Sequence, residues 1–411
     1  MRILQVNKFV YRRGGAEGYM LDVAELLRAQ GHDVEFFGMR HPRNEACTYE
    51  RHFPSEVGFD DEASGAADRA RALGRMLWST SSRRGIDAVI SDFRPDVVHA
   101  HNIYHQLSPS VLFPAYRRGI PTVMTVHDYK LVCPTYHLYS HGRPCESCLP
   151  RKFHHAFSER CRDGSAVASG VMATELALHT ATRAYRTIDL YLCPSEFLRS
   201  KLAQGGIAPD RLRVLRNFTD PGSVVAPPRT GPGEGFVYAG RLVEEKGVEL
   251  AVRAVAAAGP DVALRIVGEG PDEARIRALA EDLAPGQVKF LGWRTRAEVA
   301  ALLTEARAAL VPSIWYENQP LAVLEAFGAH TPVIATALGG MPEIVRPGET
   351  GLLAGVGEVA PFAAALRTLQ DDPGLAVEMG KRAAAYVADA HGADRHVSDL
   401  LERYAEAGAR V

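Results

Sequence analysis

Two glutamates, Glu317 and Glu325, frame the segment Asn318-Gln319-Pro320-Leu321-Ala322-Val323-Leu324, which is suited to an anionic ligand. The apolar run from Ala308 to Val311, closed by Pro312, reads as a buried parallel strand. Pro320 reads as the first residue of a helix, where its missing N–H costs nothing and its fixed φ suits the turn. The loop between would hold Glu317 at the carboxyl edge of a sheet. The amides of Leu321 and Ala322 would then face outward with the positive end of the helix dipole. Such a site binds a phosphate. Glu325 lies five residues into that helix, roughly 7–8 Å along its axis at 1.5 Å per residue, which suits an acceptor for sugar hydroxyls flanking the phosphates.

Two cations lie upstream, in Tyr238-Ala239-Gly240-Arg241-Leu242-Val243-Glu244-Glu245-Lys246-Gly247. This loop follows a short apolar strand, Phe236 to Ala239, and opens a helix near Val248. Arg241 offers a planar fork for phosphate oxygens and Lys246 a compact point charge. Only seven of the 47 basic residues are lysines, so a lysine kept in this loop is informative. Either motif alone is weak; together and in order they point to a diphosphate.

The elements that must position these groups alternate along the chain, the signature of parallel α/β layers. In the first half, strands are predicted at Ile3 to Val6, Val34 to Phe37, Asp96 to His99, Thr122 to Val126 and Asp189 to Cys193. Met20, Val23, Ala24 and Leu27 fall on one helix face, ended by Gly31. Arg43 to Ser82 reads as polar excursion loops plus a helix. Pro221 to Gly235, rich in Pro and Gly, reads as the domain boundary. A second set of strands follows at Phe236 to Ala239, Ala263 to Val267, Val288 to Leu291, Ala309 to Val311 and Val333 to Ala335, then helices around Leu375 to Ala390 and His396 to Ala407.

The 411 residues suffice for two domains, here 1–215 and 216–385, each sized for a doubly wound sheet. A formal charge of −2 leaves no footprint for nucleic acid. No apolar run is long enough to span a membrane, and Met1 leads straight into a strand, so a cytoplasmic enzyme is expected. A dinucleotide site is disfavoured: Gly14-Gly15 after the first strand and Gly268-Glu269-Gly270-Pro271 both lack the G-x-G-x-x-G pattern.

The ordered set of motifs resembles the family 4 glycosyltransferases, which have the GT-B fold. The resemblance runs through Gly14-Gly15-Ala16-Glu17, Thr125-Val126-His127-Asp128, Pro194-Ser195-Glu196-Phe197, Gly240-Arg241-Leu242 with Lys246-Gly247, and Gly268-Glu269-Gly270-Pro271. It continues through Glu317 and Glu325, Pro332-Val333-Ile334-Ala335, and Gly339-Gly340 with Glu343. It implies two Rossmann-like domains facing across a cleft, and a retaining transferase using a nucleotide-diphosphate sugar such as a UDP- or GDP-sugar. The acceptor would be a glycan, a lipid-linked molecule or a small molecule.

By motif position Arg241 and Lys246 would bind the diphosphate, Glu325 the ribose, and Glu317 the transferred sugar. His127 would bond the donor sugar from the first domain. Gly14 and Gly15 would close over the diphosphate, with Gly240, Asn318, Gln319, Leu321 and Ala322 completing the donor site. The last helix, about 386–411, would cross back onto the first domain. Many members carry glycines where this chain has Asn318, Gln319 and Pro320, and Pro320 has no N–H to donate, which leaves that task to Leu321 and Ala322.

No cofactor is expected for catalysis, since protein cations and helix amides already face the diphosphate. Cys133, Cys145, Cys148 and Cys161, two of them in a C-x-x-C, read either as reduced thiols or as a structural zinc site. The basic stretch Arg151 to Arg162 and the apolar helix Val167 to Tyr185 suit either a buried crossover or peripheral contact with the inner membrane face. Two other readings stand beside the transferase: a nucleotide-sugar epimerase or hydrolase of similar fold, and a non-catalytic nucleotide-sugar-binding subunit. The first would need further cleft carboxylates; the second would have lost Glu317, Arg241 or Lys246.

Overall fold

The computed structural model describes residues 1–56, 66–219 and 231–410, with 66–71 by backbone only. Positions 57–65 of the polar excursion and 221–230 of the predicted boundary segment lie outside the described residues. The first sheet is built from β1 (Arg2–Val6), β2 (Asp33–Phe37), β3 (Val97–Ala100) and β4 (Thr122–Thr125). The short β5 (Tyr139–Ser140) and β6 (Arg143–Pro144) pair with each other outside it, and β7 (Leu190–Cys193) and β8 (Leu212–Val214) complete it. Its order is β2-β1-β3-β4-β7-β8, parallel throughout.

The second sheet contains β9 (Phe236–Ala239), β10 (Leu264–Val267), β11 (Val288–Gly292), β12 (Ala308–Val311), β13 (Val333–Thr336) and β14 (Gly351–Ala354). Its order is β11-β10-β9-β12-β13-β14, again parallel. Every residue of β3, β4, β12 and β13 is buried, as expected of parallel strands covered on both faces. The pleat sorts the side chains of β9. Phe236 and Tyr238 enter the core beneath helices Val248–Ala258 and Val359–Asp371, while Val237 enters the opposite core with helix Leu321–Gly328.

The sequence missed the two edge strands β8 and β14, which are short and half-polar or glycine-led. The predicted strand Asp96 to His99 runs one residue later, Val97–Ala100; Asp96 precedes it and meets Arg2 twice, donating its amide to the Arg2 carbonyl oxygen at 2.7 Å and accepting the Arg2 amide on its carboxylate at 2.6 Å. Among the described residues no helix is long and apolar enough to cross a membrane.

Between β4 and β7 the chain makes a long insert, closed by helix Ala166–Ala181. A buried ion pair pins it: Lys130 Nζ lies 2.7 Å from Glu175 and 2.9 Å from the Pro134 carbonyl oxygen. His105 Nδ1 meets the other Glu175 oxygen at 3.0 Å. Burial opposes ionisation of Glu175, but Lys130 and His105 outweigh it and hold the carboxyl down at about 2.

The last helix, Ala393–Glu406, packs on the first sheet, not on the second-domain elements that precede it. Val397, Leu400 and Tyr404 are fully buried in the first-domain core. The Tyr404 hydroxyl lies 2.8 Å from His99 Nδ1, and the Tyr19 hydroxyl 2.9 Å from His396 Nε2. Leu400→Ala is expected to cost about 2–5 kcal/mol and to speed hydrogen exchange in β1 and β3. Faster exchange confined to β9–β14 would contradict this placement.

The histidines at this junction are kept neutral. Burial lowers His99 to about 3 and His127 and His396 to about 4, and pushes His101 well below 6.5. Once unfolded they would bind protons below pH 6.5, so the unfolded chain holds more protons and stability falls as pH drops from about 6.5 toward 4. Each such group contributes about 1.4 kcal/mol per pH unit in that window. The melting temperature is expected to fall steeply between pH 7 and pH 5; a flat profile there would show that the histidines are not held neutral.

Candidate functional site

Adjacent strands bring the two halves of the donor motif together. β9 and β12 are paired, so the loops after them share the carboxyl edge of the second sheet. The first loop turns through Glu244–Lys246 into Gly247, whose φ is +68 and whose missing Cβ would stand 2.0 Å from the Pro312 carbonyl oxygen. Only glycine permits that approach, and it sets Lys246 against Glu317.

Glu317 is buried, and three donors converge on its Oε1: Lys246 Nζ at 2.7 Å, Ser313 Oγ at 2.7 Å and Trp315 Nε1 at 2.9 Å. Burial alone would raise its pKa; Lys246, then Ser313 and Trp315, reverse the sign and hold the carboxyl below its usual value. Among the described residues Oε2 takes no hydrogen bond. The Glu317 backbone is fixed too, since Gly340 N donates to its carbonyl oxygen at 2.7 Å. A Cβ on Gly340 would fall 1.8 Å from the Asn318 carbonyl oxygen, which accounts for glycine there.

The helix after Glu317 begins at Leu321, with Pro320 as its cap at φ −69 and ψ 125. Pro320 was expected to be the first helical residue; its extended ψ puts it just outside. Val323 N bonds back to the Pro320 carbonyl oxygen at 3.1 Å. Leu321 and Ala322 have no earlier helical turn to receive their amides. Arg241, exposed just after β9, has no ion pair among the described residues, and its charge helps lower His137 to about 4, after burial and Arg162. Gly240 packs against Tyr238, whose hydroxyl donates to the Arg241 carbonyl oxygen at 2.8 Å.

Glu325 is already engaged: Arg296 Nε stands 3.6 Å from it, and the same guanidinium reaches Asp22 of the first domain at 3.5 Å. Burial raises its pKa, with Arg296 acting in the opposite direction.

From the first domain His127, after β4, places Nε2 3.0 Å from His101 Nδ1. Its carbonyl oxygen accepts from Asn318 Nδ2 at 2.8 Å, a direct bond between the domains. The Gly14–Gly15 turn meets the same region, a Cβ on Gly15 lying 3.6 Å from Leu321 Cδ1. Thus Lys246 meets Glu317, Asn318 meets His127 and Gly15 meets Leu321 where the loops of the two sheets come together, with Gly14 and Ala322 next in chain to these contacts and Arg241 on the Gly240–Gly247 loop. Gln319 is placed differently. Its side-chain oxygen accepts from Asn217 N, and its carbonyl oxygen from Asn217 Nδ2 at 2.9 Å, so it joins the domains behind the site.

Sequence reasoning assigned no role to Ser313 and Trp315, although both stand within four residues of Glu317 on the strand-end loop. It also passed over His101, two residues after His99 on one strand edge, and it quoted Glu343 in the motif set without giving it a role. The Glu343 carboxylate accepts from the amides of Glu196 and Phe197 at 2.9 and 2.7 Å, capping a first-domain helix from the second domain.

The cysteines are all free thiols. Burial, followed by the nearby Cys133, Cys161 and Cys145, pushes the Cys148 thiol up to about 12. Among the described residues no group of three or more His, Cys, Asp and Glu side chains is placed to hold a metal ion. The insert reaches the loop that carries Glu317, for the Tyr316 hydroxyl donates to Glu146 at 2.6 Å and the His137 and Trp315 rings stand 5.4 Å apart, edge to face.

Comparisons agree with this architecture. Residues 13–223 match the family model described as Glycosyltransferase Family 4, and residues 229–386 match the one described as Glycosyl transferases group 1. A glycogen synthase of Mycobacterium tuberculosis is 30% identical over 393 residues, covering 90% of this chain and 86% of the relative. A D-inositol 3-phosphate glycosyltransferase of Acidothermus cellulolyticus is 30% identical over 420 residues, covering 96% and 86%. Among solved structures, a sucrose-phosphate synthase from Thermosynechococcus elongatus superposes with a TM-score of 0.72 at 21% identity, covering 98% of each chain. HepE of Anabaena, in complex with UDP and glucose, gives 0.68 at 18% identity, over 99% of this chain and 100% of that one. With a family model over half its length and relatives matched along nearly all of it, the chain belongs to the family 4 glycosyltransferases and is a transferase of the GT-B fold.

Proposed function

We propose that the chain is a retaining glycosyltransferase that moves a sugar from a nucleotide-diphosphate sugar to a hydroxyl of a glycan, a glycolipid or a small molecule. The observation that carries this reading is the Glu317–Lys246 pair, set beside the start of helix Leu321–Gly328 and opposite His127. Breaking the anomeric bond puts positive charge on the sugar and negative charge on the leaving diphosphate. Lys246, Arg241 and the amides of Leu321 and Ala322 stand where that negative charge develops. Glu317, ionised and immobile, receives hydroxyls of the transferred sugar. Glu325 takes the ribose hydroxyls once Arg296 lets it go.

Retention follows from a same-face substitution in which the leaving phosphate takes the acceptor proton. Gly14 and Gly15 close over the diphosphate. The HepE structures with UDP and with UDP-glucose support a uridine nucleotide as the first donor to test. A cytoplasmic site of action suits such a donor. Contact with a membrane surface is proposed through Phe157 and Val167, both exposed on the insert and its closing helix. An epimerase or hydrolase would release product without an acceptor, which separates those readings.

The two cations make different predictions. Arg241→Ala should lower kcat by about 10²-fold or more with no change in melting temperature, because Arg241 is exposed. Lys246→Ala should lower kcat similarly and also destabilise the fold, by up to about 3–5 kcal/mol, since it strands the Glu317 carboxylate. Near-normal kcat/KM in both variants, with a competent donor, would remove the diphosphate assignment.

Catalysis is proposed to need no divalent ion, the protein cations and amides filling that role. Separately, a structural zinc on Cys133, Cys145, Cys148 and Cys161, with no open position for substrate, is proposed beside the reading of plain reduced thiols. The four are not gathered as a metal site among the described residues and would have to draw together on it. Protein purified without chelator or metal-affinity resin should contain about one zinc per chain by elemental analysis, and turnover should not depend on added magnesium or manganese. Absence of zinc would leave only reduced thiols; strict dependence on an added divalent ion would overturn metal-free catalysis.

A further inference from the structure

Behind His127 lies a cluster of buried histidines, and the contacts of His127 run through His101 to Gln5. His396 Nδ1 lies 2.8 Å from the Arg216 carbonyl oxygen, which can only accept, so Nδ1 carries the proton. Burial keeps His396 neutral, at about 4, so its Nε2 is a bare acceptor for the Tyr19 hydroxyl at 2.9 Å. Thr125 Oγ1 lies 2.8 Å from His99 Nε2 in a separate pair of contacts.

His99 is also neutral, and its Nδ1 lies 2.8 Å from the Tyr404 hydroxyl. Gln5 Oε1, which can only accept, faces His101 Nε2 at 2.8 Å, so that nitrogen carries the proton and donates it in a hydrogen bond. His101, neutral and fully buried, keeps a lone pair on Nδ1, and His127 Nε2 stands 3.0 Å from it.

We propose that this head-to-tail chain fixes His127 with its proton on Nε2, so that its bare Nδ1 meets the donor sugar solely as a hydrogen-bond acceptor. His101 and Gln5 are then positioning residues for His127, and the chain's direction is set at the Gln5 side-chain oxygen. The inference rests on the reading of His127 as a donor-sugar contact. It adds a rule of specificity: the sugar position facing His127 must have a proton to give. A hydroxyl or an amine satisfies it. Fluorine does not, because it would leave two acceptors face to face.

The first test needs no substrate. Long-range proton–nitrogen correlation spectra of the ¹⁵N-histidine-labelled enzyme, with His127 assigned from the missing signal in His127→Gln, should show a neutral ring protonated on Nε2. A proton on Nδ1 of His127 would overturn the proposal whatever the enzyme transfers. The second test is kinetic. Gln5→Met keeps the length of the side chain but removes the acceptor. It should yield mixed tautomers at His127 and lower kcat by about 10–100-fold, as when the partner of an orienting histidine is lost, with the donor KM little changed. Gln5→Glu retains an oxygen for His101 and should restore both the tautomer and most of kcat. If Gln5→Met folds and His127 keeps a single tautomer with normal kcat, the positioning role is wrong; if Gln5→Met fails to fold, the wild-type spectrum still decides the tautomer. In the third test, UDP-glucose, or whichever nucleotide sugar the enzyme turns over, is compared with its mono-fluoro and mono-amino analogues. One position should reject fluorine and keep the amine. Acceptance of fluorine at every position, with the tautomer as predicted, would fault the sugar contact of His127 and not the hydrogen-bond chain.

Discussion

A carboxylate without solvent is costly unless something holds it, and in this protein the loops at the carboxyl edge of the second sheet are organised around one that is held. Glu317 is ionised although buried, because Lys246, Ser313 and Trp315 all direct a hydrogen at the same oxygen. Two neighbouring strands must end at one edge for that to occur, and Gly247 and Gly340 must lack side chains. The pair does more than stabilise. It puts a positive charge where a leaving diphosphate would need it and leaves a fixed acceptor for the sugar.

The same region couples the domains. Asn318 bonds the His127 carbonyl oxygen, Gln319 bonds Asn217, Glu343 caps the helix at Glu196, and Arg296 reaches both Glu325 and Asp22. Most of these contacts start within a few residues of a donor-site group, so opening the domains disturbs the site and filling the site alters the domain contacts. The final helix reinforces the arrangement by returning to the first core through Val397, Leu400 and Tyr404. Arg296 is the contact that a nucleotide would have to rearrange, since it now occupies the carboxylate proposed for ribose.

Much of this was legible from the chain because parallel strands that are covered on both faces are written as apolar runs, and because Glu317, Glu325, Arg241 and Lys246 fall at loop positions fixed by those strands. Strands β8 and β14 were not, since β8 is three residues with Arg213 at its centre and β14 opens on Gly351. Asn318 and Gln319 were expected to complete the donor site, and their side-chain amides bond the His127 carbonyl oxygen and the Asn217 amide. Sequence order put them at a helix start but could not say which way a side chain turns. Ser313, Trp315 and His101 went unassigned for a related reason: each acts through a partner, and a partner is visible only in three dimensions. Pro320 capping the helix, not opening it, is a one-residue difference that follows from its extended ψ.

The central claim is that a nucleoside diphosphate is held at the start of helix Leu321–Gly328, between Lys246 and Arg241, with the first domain closing on it. Amide hydrogen exchange measured with and without saturating UDP, GDP or ADP tests it most directly. The account predicts that at least one of these slows exchange at Leu321 and Ala322, in the loop from Gly240 to Gly247, and at Gly14 and Gly15. Binding that protects other segments and leaves all three unchanged would contradict it.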